Sequence, residues 1–130
     1  MTTDQHIYNI YHDPELQAIV MEWNGYATSA QFREGTETML KFLVRHRVSK
    51  VLGDVHNMVL IGMEDQKWLE TDFLPRAIAQ GFQAIAMIRP RHYFNKVAVE
   101  SVSYKIDSDK LRIQFFDDRE KASQWLRELV

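Results

Sequence analysis

No cysteine occurs among the 130 residues, which excludes disulfides, a thiolate nucleophile and cysteine-ligated zinc. Charge of one sign is lacking too: 16 Lys and Arg stand against 18 Asp and Glu, for a formal net charge of -2 and a pI near 6.2. Binding a phosphate backbone requires a basic footprint that this balance does not supply, so nucleic acid is not an expected partner. No window approaches the ~20 consecutive apolar residues of a membrane-spanning helix. Residues 1 to 15, MTTDQHIYNIYHDPE, carry acids and histidines where a secretory signal has a basic start and an apolar run, and the cytoplasm is the expected compartment. The patterns GxSxG, GxxxxGK[ST], GxGxxG and HExxH are missing, which removes the motif-bearing hydrolases, nucleotide binders and zinc peptidases from consideration. The 5 histidines stand singly, without ligand spacing, so no metal and no cofactor is expected.

What is present is the material for one core. Apolar residues make up 45% of the chain and aromatics 12%, enough to fold as a single domain over residues 1–130 without metals or cross-links. No repeat, low-complexity tract or linker divides it.

HIYNIY and LQAIVMEW are β-rich apolar runs separated by Asp13, Pro14 and Glu15, so residues 6–23 are expected to form an antiparallel hairpin, closed by Asn24 and Gly25. Thr28 followed by Gln31 fits a capping box that starts a helix near Ser29. Phe32, Met39, Leu40, Leu43 and Val44 form its buried stripe, and Gly35 within it reflects either close packing against backbone or neutral drift. Residues 51–69, VLGDVHNMVLIGMEDQKWL, read as a short strand ending on Asp54, then a loop, then a helix from about Met63 to Gln80 stopped by Gly81. Pro75 should kink or split that helix just before its own position. FQAIAMI is a continuous apolar run, as expected of an interior strand covered on both faces. Residues 91–103 keep helical spacing, LRIQFF alternates as a last strand, and DDREKASQWLREL is a closing helix capped by Asp117, with Glu120 at its third position and Ala122, Trp125, Leu126 and Leu129 facing inward. Strands joined through helices are parallel and cross over right-handedly. The expected fold class is therefore α/β, a mixed sheet of about five strands, parallel except for its first, with helices covering it.

That ladder of elements, the VLGDV strand leading to a helix and the closing FFDDREKASQWL together resemble the SpoIIAA-like superfamily, which includes the sulfate transporter and anti-sigma factor antagonist (STAS) domains. The similarity spans essentially the whole chain. It implies a non-enzymatic partner of regulatory proteins. Many such antagonists carry a phosphorylatable serine or threonine at the start of the second helix. With Asp54 aligned to the acid that ends the family's third strand, that acceptor would fall near Gly62 or Met63, and Ile61-Gly62-Met63-Glu64-Asp65 has no hydroxyl. The chain then reads as STAS-like without the phospho-acceptor. Glu64 and Asp65 either supply a fixed negative charge there or only stabilise the helix start. The related CRAL-TRIO lipid-exchange domains imply a second reading, in which Met58, Val59, Leu60, Ile61, Met63, Trp68 and Phe73 form an apolar mouth beside the proline-broken helix; the same residues also fit an ordinary core.

Ligands of open α/β sheets sit beyond the carboxyl ends of the parallel strands, an edge that gathers Asn24, Asp54, His56, Asn57, Arg89, Arg91 and His92. Asp54 with His56 and Arg89 is the best catalytic set available, yet no nucleophile joins it, and the alternative is a carboxylate that accepts from the amides of its own loop. In RPRHYF, residues 89–94, the arginines read as partner or anion contacts with Tyr93 or Phe94 stacking, or else Pro90 merely shapes the strand exit and Phe94 is core. The leading expectation is a non-catalytic regulatory or protein-interaction module that binds through Asp54, His56, Asn57, Gly62, Glu64, Arg89 and Arg91. The alternative is a carrier or sensor of a small apolar, lipid-like ligand held by Met58, Met63, Trp68 and Phe73. An enzyme using Asp54 and His56 comes third. The partner is a regulator or a second copy of the chain in a homodimer.

Overall fold

The computed structural model describes residues 7–59, 62–91, 97, 100, 102, 106–107 and 109–129. Five strands form one sheet in the spatial order in which they occur in the chain. The hairpin comprises β1 (Tyr8–Asp13) and β2 (Ala18–Gly25), with Tyr8 opposite Trp23 and Asp13 opposite Ala18. Parallel to β2 lie β3 (Lys50–Met58), β4 (Ala84–Ile88) and β5 (Arg112–Phe116) in succession. The sheet is thus mixed, with one antiparallel edge, as the alternation of strands and helices requires.

Helix α1 (Ser29–His46) begins with the anticipated capping box: Thr28 Oγ1 accepts from the Gln31 amide, and the Gln31 side chain accepts from the Thr28 amide. Its buried stripe is Phe32, Gly35, Thr36, Met39, Leu40 and Leu43. Val44 does not belong to it. That side chain is exposed, because the last turn of α1 passes the amino-terminal edge of the parallel strands, where Val44 lines a wet groove with Arg47 and Lys50. Gly35 packs on a side chain rather than on backbone: an added Cβ would stand 2.6 Å from Cη2 of Trp23, a ring itself fixed in the core.

Between β3 and β4 the chain forms α2 (Met63–Trp68), a π-helical turn (Leu69–Phe73) and α3 (Leu74–Ala79). Pro75 has no amide to donate, and the helix accommodates the gap just before it by widening, with the Leu74 amide reaching back five residues to the Leu69 carbonyl. Gly81, at a φ of 109°, ends the segment in the left-handed region. The closing helix α4 (Arg119–Glu128) is capped by Asp118, whose carboxylate accepts from the Lys121 amide at 2.8 Å. Asp117 was the expected cap; two adjacent aspartates offer the same signal, and Asp117 instead pairs with Arg89. At the other end of α4, Lys50 Nζ donates to the Leu126 carbonyl at 2.7 Å.

Side chains from alternate positions of the strands build two cores. Ile19, Met21, Trp23, Val51, Val55 and Ile85 face α1 and the α2–α3 segment, while Ala18, Val20, Leu52, Ala86 and Ile88 face Ala122 and Leu126 of α4. Of the expected helix at 91–103, most lies outside the described residues; Val97, Glu100 and Val102 are helical, and Val102 joins the first core. Among the described residues no helix is long and apolar enough to cross a membrane.

Candidate functional site

Strand β3 does not end on Asp54. It continues through His56 and Asn57 to Met58, because β2 follows it past a bulge between Glu22 and Asn24, restoring the pairs Asn24 with Asn57 and Gly25 with Met58. On the other side the Arg91 amide donates to the His56 carbonyl at 3.1 Å. Residues 55–58 are therefore strand where the sequence implied a loop.

The carboxyl edge brings Asp54, His56 and Arg89 together, but each engages a different group. Asp54 Oδ1 accepts from the His56 amide at 3.1 Å, the local bond foreseen for a structural aspartate. His56 Nδ1 stands 3.1 Å from the Arg89 carbonyl, a contact that requires the Nδ1–H tautomer. Arg89 pairs with Asp117 at 2.9 Å, with its guanidinium over the Phe115 ring. The His56 and Arg89 contacts hold the connection after β4 to β3 and to Asp117, whereas the Asp54 bond stays within β3. Asn57, Gly62, Glu64 and Arg91 are exposed on the same rim, with Gly62 as the cap residue of α2, and Asn24 lies beside Asn57. His92, Tyr93 and Phe94 lie outside the described residues, as do Leu60 and Ile61.

Two polar networks at this end escaped sequence reasoning. Glu22 accepts from Arg119 at 2.6 Å and from Asn9 at 3.2 Å, while Arg119 also donates to the Tyr11 hydroxyl at 2.7 Å and comes within 3.9 Å of Asp54. Burial pushes the Glu22 carboxyl up, but the Arg119, Asn9 and Tyr11 hydrogen bonds and the Arg119 charge overcome it and hold the group below its usual range. One signal was available: Glu22 interrupts the apolar run AIVMEW. The second network centres on Asp65, which is buried and accepts from Ser29 Oγ at 2.7 Å and Arg33 Nε at 2.9 Å. Arg33 in turn lies over Trp68. This carboxylate ties α2 to the start of α1, so of the two acids in the first turn only Glu64 faces solvent.

Apolar side chains also stand in water on this rim. Met63 is 84% exposed, Tyr26 60% and Val59 40%. The Val59 amide donates to the Gly25 carbonyl at 3.0 Å, which sets Val59 beside the start of the loop that carries Tyr26, while Met63 opens α2 four residues further along the chain. Exposed large apolar groups gathered in one place mark interaction surfaces more often than scattered ones.

Beneath the rim, between the sheet and the α2–α3 segment, lies a cavity of about 110 Å³. Met58 and Phe73 line it, as the apolar-mouth reading expected. Met63 does not: at the first position of α2 it points away to solvent. Trp68 stands half-buried behind the wall, tilted against Phe73 and edge-on to Phe32. No three His, Asp or Glu side chains converge to hold a metal ion among the described residues. No protein-family model matches the chain, and no curated protein matches it.

Proposed function

We propose that the chain is a STAS-like, non-catalytic interaction module of the cytoplasm that docks a protein partner on the carboxyl rim of its sheet. The observation that supports this most is the exposure of Tyr26, Val59 and Met63 on segments that leave the carboxyl end of β2 or β3, where Asn57, Glu64 and Arg91 are exposed as well. Exposed apolar side chains accompanied by polar and charged ones suit a modest protein interface. The pairing of Asp54, His56 and Arg89 with backbone and with Asp117 favours recognition over turnover, since these groups shape the rim. A lipid carrier is less well supported, because about 110 Å³ is well below the ~300–1,000 Å³ of pockets that enclose drug-sized ligands.

The test compares two single variants as affinity baits in the native host. Met63→Glu should lose the partner that the wild-type chain retains, while Val44→Glu, at the opposite edge, should keep it, and both should melt within a degree or two of wild type, as surface changes do. Loss in both variants, retention in both, or no partner with wild type would overturn the proposal.

A further inference from the structure

We infer that the cavity between the sheet and the α2–α3 segment is a binding site for one small, uncharged apolar molecule of about benzene size. The inference is independent of the rim reading. At about 110 Å³ the space approaches the ~150 Å³ of an engineered apolar cavity that stays dry and takes up benzene or xenon. Its described lining is nearly all apolar. The two polar residues among the described lining are Thr36 and Gln66, and the Thr36 hydroxyl already donates to the Phe32 carbonyl at 2.7 Å, a lining that suits an apolar guest better than an ordered water, which needs about 2–4 polar partners.

The walls suit a guest. Met21, Met39, Met58 and Met87, four of the chain's 6 methionines, line the space. Unbranched thioethers adapt to irregular shapes and make favourable contacts with aromatic rings, and so are over-used where a surface must accept different apolar occupants. One side of the cavity is formed by Leu69 and Phe73, the two ends of the π-helical turn; single π turns inside helices recur at functional sites. The same turn that accommodates Pro75 therefore sets the cavity wall.

Benzene is the probe, titrated into the full chain by calorimetry and followed by the melting temperature, with pyridine as its isosteric control. One saturable site is expected for benzene, with a rise in melting temperature. Pyridine should bind roughly tenfold or more weakly, because its nitrogen would leave water for a described lining that is apolar apart from Thr36 and Gln66. Val55→Leu places a methylene into the cavity from β3; it should keep or raise the melting temperature and weaken benzene by roughly tenfold or more. If that variant does not fold, Ile113→Phe fills the space from β5 and is read the same way. Absence of a saturable site, equal binding of benzene and pyridine, or undiminished binding by the folded filling variant would overturn the inference.

Discussion

The two faces of the sheet are built from different material. Toward α1 and the α2–α3 segment the side chains are large and irregular, with Trp23, Phe32, Phe73 and four methionines meeting around an unfilled space. Toward α4 they are small, with Ala18, Ala86 and Ala122 fully buried among Val20, Leu52 and Leu126. Small aliphatic groups allow a helix to sit close to a sheet and tile without gaps, whereas long and aromatic groups from several separate elements rarely close every space. Each face also carries an ion-paired acid toward its carboxyl end, Asp65 with Arg33 on the first and Glu22 with Arg119 on the second. The contrast assigns free volume to one face and rigid attachment of a helix to the other.

The largest effect that would break this contrast is removal of a filler from the tight face. Leu126→Ala should destabilise the chain by about 3–4 kcal/mol in urea unfolding, since nothing beside it can collapse into the gap. Addition sharpens the contrast: Ala86→Leu on the α4 side should cost about 1–3 kcal/mol, whereas Val55→Leu on the cavity side should cost less than about 0.5 kcal/mol. Equal losses for the pair would abolish the distinction. Asp65→Ala leaves Ser29 and Arg33 without their acceptor and should cost about 2 kcal/mol, against about 1 kcal/mol for Glu22→Gln at the more exposed pair.

The Glu22 effect has a definite pH window. Its folded-state pKa lies below the unfolded one, so the stabilisation is fully present above the ordinary glutamate value of ~4.3 and disappears as pH falls through the depressed folded value. The gap in stability between wild type and Glu22→Gln should therefore be flat at neutral pH and narrow below about pH 4; a gap that stays constant to lower pH would show that the ion pair is not its source.

How far the sequence carried these features depends on whether their causes are local. The Thr28–Gln31 capping box, the break before Pro75 and the stop at Gly81 each rest on a few consecutive residues and were legible, as was the interior position of β4 from its unbroken apolar run. The extension of β3 through His56 and Asn57 was hidden, because neither residue favours strands and its cause is the matching bulge in β2. Glu22 and Arg119 meet across 97 positions, and the choice of Asp118 over Asp117 as cap turns on where Arg89 reaches. A cavity leaves no mark on composition at all: its methionines are the same residues that would fill a solid core.

The rim remains the place where the account meets function, and a photo-reactive side chain tests it most directly. Placed at position 63 in the full chain within its native host, it should yield one discrete cross-linked protein adduct, while the same group at position 44 yields none. Equal labelling from both positions, or none from position 63, would contradict a docking surface on the carboxyl rim.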